Sequence, residues 1–186
     1  MTRTTPRSAP GPLRPFRCRP RAAAVLALAL LGLTVACTSS PSPDSVAGPP
    51  TLPPAQLTEL DSGAAASLDR FGETPVVLNL WAPWCTPCRT EMPALQAAQD
   101  RFAGRIQVVG MTDDADHDAA MEAAATAGVT YPLLVDVDGG LQADLGVTSL
   151  PATVFLDREG RVLELHAGAL DTTTLDDLIG RLYAIA

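Results

Sequence analysis

From Leu57 to the C-terminus the chain switches repeatedly between short unbroken apolar runs and longer stretches whose apolar residues recur every three or four positions. The first pattern suits buried strands and the second suits helices with one face on a core. Val76–Trp81, bounded by Pro75 and Pro83, predicts a buried strand, and Ile106–Met111 and Leu133–Asp136 predict two more. Val154–Leu156 and Arg161–His166 read as strands joined by a hairpin turn, Asp157-Arg158-Glu159-Gly160. Helices are predicted over Cys88–Phe102, with Met92, Leu95, Ala98 and Phe102 at helical spacing, and over the alanine-rich His117–Ala127. A last helix, Thr173–Tyr183, sets Leu175, Leu178, Ile179 and Leu182 on one face. Elements alternating in this way predict an α/β fold, a mostly parallel sheet covered on both faces.

The preceding residues have a different composition. Ala22–Ala36 is apolar for about fifteen residues after an arginine-rich start, short of the roughly 20 that a spanning helix needs, and reads as a signal peptide. Cys37 follows at once, and LTVAC resembles the lipobox at which bacterial lipoproteins are cleaved and acylated, with Thr34 and Leu33 departing from the preferred arrangement. Lipidation of Cys37 is the expectation, with an ordinary secretory signal or an uncleaved anchor as alternatives. All three place the domain outside the cytoplasm. Thr38–Pro54 holds six prolines among Ser and Gly and reads as a tether. The expected division is a leader over 1–36, a tether over 37–56 and one domain over 57–186. Six of the 13 basic residues precede residue 22 while all 21 acids lie beyond it, so the remainder carries seven Arg against 21 acids, a net charge of −14. So acidic a domain repels polyanions, which excludes nucleic acid as a partner.

The chemistry gathers in NLWAPWCTPCRTEMP, residues 79–93. With Cys18 lost with the leader and Cys37 acylated, Cys85 and Cys88 are the thiols that remain. Their spacing lets both sulfurs meet at the start of a helix. There Cys85 would face the helix's positive end and unpaired N–H groups, which favour thiolate, making it the nucleophile. Cys88, one turn further and more enclosed, would resolve the mixed disulfide. Zinc is disfavoured because one cysteine pair has only the distant His117 and His166 for company, and no metal is expected. A purely structural disulfide is disfavoured because so short a loop restrains the unfolded chain little, and because Trp81, Trp84 and Pro87 surround the pair. The acids Asp113, Asp114, Asp116 and Asp118 miss a calcium loop's glycine and glutamate, since Ala119 and Ala125 occupy those places; they read as caps of the following helix.

This string resembles the active site of the thioredoxin superfamily, in particular the TlpA/ResA-like branch of bacterial extracytoplasmic reductases. The likeness runs from about Leu57 to the C-terminus and rests on Trp84 before the first cysteine, Pro93 five residues after the second, and GVTSLPATVFLD. It implies a thioredoxin-like fold, a central mixed sheet with helices on both faces, and an inserted strand-helix region over about Thr112–Leu133. It also implies that Pro151 is the cis-proline opposite the redox pair, with the backbone of Leu150 pairing with a substrate strand and Trp84 and Pro87 lining the binding surface. Asn79 stands where cytosolic thioredoxins carry a buried Asp, and an amide cannot accept a proton there. Glu91 matches an acid near the cavity of ResA-like reductases and is the candidate for moving the proton of Cys88, the alternative being an acid stabilised by the first turns of its helix. Trp81 is expected in the core and Trp84 at the substrate.

The expected activity is that of a thiol-disulfide oxidoreductase without cofactor, anchored to the outer face of a bacterial membrane as a monomer. Its partners would be protein thiols and disulfides and a membrane electron-transfer protein. Reduction of protein disulfides leads, with apocytochrome c cysteines a substrate implied by the resemblance alone; an oxidant of secreted proteins is the alternative. The intact Cys85 and Cys88 argue against a redox-inert adaptor, and a peroxidase would need a cysteine outside the pair.

Overall fold

The structure is a computed structural model that describes residues 50–185; the leader and Cys37 lie outside the described residues. Its centre is a seven-stranded mixed sheet of order β2-β1-β5-β4-β3-β6-β7. The strands are β1 (Leu57–Glu59), β2 (Ala65–Ala66), β3 (Val76–Leu80), β4 (Gln107–Thr112), β5 (Leu133–Asp136), β6 (Ala152–Leu156) and β7 (Val162–Ala167). The helices are α1 (Thr86–Arg101), α2 (His117–Thr126), α3 (Gly140–Asp144) and α4 (Thr172–Tyr183), with a 3-10 turn over Leu68–Phe71.

Only β3, β4 and β5 run parallel, joined by the helical crossovers α1 and α2. The expectation of a mostly parallel sheet is corrected here. Tight connections close the β1-β2 and β6-β7 pairs, which are antiparallel, and β6 re-enters antiparallel beside β3 through α3 and the loop after it. The β6-β7 turn forms as its residues predict: Asp157 Oδ1 accepts from the N–H groups of Glu159 and Arg161, and Gly160 takes φ 73°, a conformation open to glycine.

β3 is buried throughout, and apolar but for Asn79, because both of its faces are covered. Val77, Asn79 and Trp81 face the layer of α1, α2 and α4, while Val76, Leu78 and Leu80 face the other side. On that second side the cover is slight: α3 through Leu141, the 3-10 turn, and the stretch around Leu52 and Ala55. That stretch falls within residues read from sequence as tether, yet Leu52 N–H donates to Gly160 O at 3.0 Å and Val162 N–H to Pro50 O at 2.8 Å. A proline-rich segment can dock at a sheet edge through its carbonyls, which need no N–H of its own. β1, β2 and α3 escaped the periodicity because elements of two to five residues are too short to show one.

Candidate active site

Beyond β3 the chain passes through the buried Trp81 and Ala82, then turns at Trp84 into α1. Cys85 is the N-cap of that helix, in extended conformation, and its Sγ accepts the N–H of Cys88 at 3.3 Å. Pro87 stands at the second helical position, where its fixed φ suits the first turn and its missing N–H costs nothing. A disulfide joins Cys85 to Cys88, their Cα atoms 5.3 Å apart. Cys88 is fully buried and Cys85 retains 4% exposure, so the first sulfur is the one nearer to solvent.

Trp84 and Pro87 lie exposed on the rim, Trp84 with 71% of its surface free. The Leu150–Pro151 bond is cis, and Pro151 immediately precedes β6. Because Ala152 pairs with Leu80, this loop stands at the end of β3 that leads to Cys85, and Leu150 packs against the apolar cluster that includes both cysteines. Every site residue inferred from sequence within the described residues is thus at one end of the sheet.

Glu91, one turn after Cys88 on the same face of α1, is 3% exposed. Its Oε1 accepts from Asn79 Nδ2 at 2.7 Å and its Oε2 from the N–H of Leu170 at 2.9 Å, which ties α1 both to β3 and to the loop before α4. Burial raises the pKa of the carboxyl, while the bonds from Leu170 and Asn79 oppose the rise. Sheet register explains the setting: Gly110 of β4, Asn79 of β3 and Thr153 of β6 form one transverse row beneath α1. Asn79 Nδ2 also reaches Thr153 Oγ1 at 3.4 Å, and Gly110 leaves room for Trp81 and Tyr131 to cross above it. The indole N–H of Trp81, the hydroxyl of Tyr131 and Oδ1 of Asn79 are buried without a hydrogen-bond partner. Burial and the Glu91 carboxylate both raise the pKa of the Tyr131 phenol, which stays protonated.

Sequence reasoning placed Asn79 and Glu91 separately and did not see their bond, because the pairing depends on how α1 crosses β3. It also gave the acids after β4 to helix capping alone. Asp116 is the N-cap of α2 and accepts from Ala119 N–H at 3.0 Å, but Asp114 accepts the indole N–H of Trp84 at 2.9 Å. No local signal marks a contact between residues thirty apart.

A family model described as the AhpC/TSA family matches residues 51–165, well over half of the chain. The chain belongs to the AhpC/TSA family. Among curated relatives it is similar to the thioredoxin-like protein YneN of Bacillus subtilis, 36% identical over 112 residues, 59% of this chain and 65% of that protein. The match therefore spans less than two thirds of that relative. The thiol-disulfide oxidoreductase ResA of Geobacillus thermodenitrificans is 27% identical over 162 residues, covering 87% of this chain and 91% of the relative. Among solved structures, a putative thiol:disulfide interchange protein DsbE from Chlorobium tepidum superposes with a TM-score of 0.65 at 27% identity, over 73% of this chain and 96% of its own. The fold is thioredoxin-like, as the resemblance implied.

Proposed function

We propose that this chain is an extracytoplasmic protein disulfide reductase working through Cys85 and Cys88. The observation that carries the reading is the placing of Cys85 Sγ at the N-cap of a sixteen-residue helix, with a backbone N–H aimed at it and a disulfide to the buried Cys88 one turn away. In the reduced protein, Cys85 thiolate attacks one sulfur of a substrate disulfide; the other sulfur leaves as thiolate and takes a proton from solvent. Cys88 then loses its proton to Glu91 and attacks Cys85 Sγ, which releases the substrate's second thiol and closes the Cys85–Cys88 bond. Two electrons have passed from the pair to the substrate. Trp84, Pro87 and the Leu150 backbone before Pro151 hold the substrate strand across the sulfurs, and a membrane donor reduces the pair for the next cycle. The resemblance to ResA-like proteins supports apocytochrome c cysteines as one substrate. The leader and Cys37 support a lipid anchor on the outer membrane face; among the described residues no helix is long and apolar enough to cross a membrane. Mass spectrometry of the membrane fraction should find Cys37 acylated and N-terminal.

The deciding measurement is the reduction potential of the pair in the full chain, by equilibration against dithiothreitol or glutathione buffers. A reductase should give a value below about −230 mV, beneath the range of glutaredoxins and toward the about −270 mV of thioredoxin. A value of about −120 mV, that of a strong oxidant, sinks this reading and leaves the introduction of disulfides into secreted proteins.

A further inference from the structure

Trp84 is widely exposed beside Cys85, yet its indole is not free to turn, because Nε1–H donates to Asp114 Oδ2 at 2.9 Å. Asp114 is itself held: its Oδ1 accepts from Asp116 N–H at 2.8 Å and its own N–H donates to Thr112 Oγ1 at 3.1 Å. Asp116 in turn caps α2. A hydrogen-bonded chain therefore fixes the indole relative to the start of α2, and a groove of about 710 Å³ runs between them.

The groove is lined by small or flat residues and by acids. Pro83, Pro93, Ala119 and Ala123 leave space, while Asp114, Asp116 and Glu122 supply three carboxylates against one guanidinium, Arg89. Arg89 directs Nη2 at Thr86 Oγ1, 3.4 Å away, and no ion pair links it to these acids. We infer that this groove receives a basic, extended segment flanking the cysteine of the substrate protein, an inference that rests on the exchange activity proposed above. Lys and Arg suit it in each part: their aliphatic stems lie on alanine and proline, their charged ends reach the carboxylates, and the fixed indole offers a face to a cation. Trp84 lines the groove and immediately precedes Cys85, so a segment next to the substrate's disulfide reaches the groove while its sulfur meets the nucleophile.

The test uses the reduced full chain and three disulfide-bonded peptides that differ only in whether Lys, Ser or Glu flanks the cysteines. At low salt the Michaelis constant should be lowest for the Lys peptide, by about fivefold relative to the Glu peptide, and the difference should collapse in 0.5 M salt, a condition under which exposed charges are screened. Glu122→Lys should abolish or reverse the order. Glu73→Lys changes the net charge equally but sits before β3, at the far end of the sheet, and should preserve the order. Equal constants for the three peptides overturn the inference, as does an equal effect of Glu73→Lys, which would trace the preference to the overall charge. Reduction of all three peptides at equal cost leaves the exchange activity standing, whereas no reduction of any peptide removes both.

Discussion

Glu91 combines two conditions that seldom coexist, burial and the ordinary need of a carboxylate for water. Its two hydrogen bonds compensate in part, but burial dominates and the carboxyl holds its proton above the ordinary 4.5. The sign of the consequence is fixed. As pH rises past that value the unfolded chain releases the proton first, so the native state binds more protons in this window and stability falls with increasing pH until the folded carboxyl has titrated too. Glu91→Gln should remove that slope and raise the melting temperature at pH 8. The replacement can be accommodated: a turned Asn79 amide lets its orphaned Oδ1 accept from the new NH₂ group, while the remaining carbonyl keeps the bond from Leu170. If Glu91 takes the proton of Cys88, the same variant should slow disulfide exchange by about tenfold or more and lose the corresponding limb of the pH profile. A stabilised variant with unchanged exchange kinetics would leave Glu91 as a strut between α1, β3 and the loop before α4.

Elements that cross at this site are set by what their residues lack as much as by what they carry. Gly110 is the clearest case. A Cβ there would come within 2.7 Å of Leu133 Cδ2 and 3.2 Å of both Trp81 Nε1 and Tyr131 Cε2. Gly110→Ala should therefore cost about 1–3 kcal/mol in urea denaturation, the usual penalty of overpacking, and it should disturb the Trp81 environment seen by near-ultraviolet circular dichroism. Asp116→Ala, which strips the cap from α2, should cost about 1 kcal/mol with that spectrum unchanged. The two cases show what sequence alone could supply. The caps, the β6-β7 turn and the helices were legible because their signals are local: Asp116 lies three residues before the N–H it accepts, and α4 repeats its apolar face from Leu175 to Leu182. The cysteine pair was legible for the same reason, with only two residues between its members in one string. The Gly110–Asn79–Thr153 row and the Trp84–Asp114 bond were not, since each joins strands or loops whose register is decided by the whole sheet.

The direction of electron flow belongs to the whole molecule. A disulfide closing so short a loop restrains the unfolded chain little, so the stability difference between oxidised and reduced protein measures mainly what the fold does to the pair. Two effects compete. The N-terminus of α1 and the N–H of Cys88 favour a Cys85 thiolate and hence the reduced form. The buried setting of the pair and the acid one turn beyond Cys88 oppose that thiolate, leave the reduced form less stabilised and so favour the disulfide. If the second effect prevails, as a reductase requires, the oxidised protein should unfold at higher urea than the reduced protein at pH 7. The gap should be about 1.4 kcal/mol for each 30 mV by which the pair's potential lies below that of the same cysteines in the unfolded chain. Glu91→Gln, by withdrawing the opposing charge, should narrow the gap and move the potential upward by the matching amount. Because the cycle must close, the two measurements check one another. A reduced form that outlasts the oxidised one in urea would mean that the helix N-terminus governs the pair, and the chain would then give disulfides to its substrates instead of removing them.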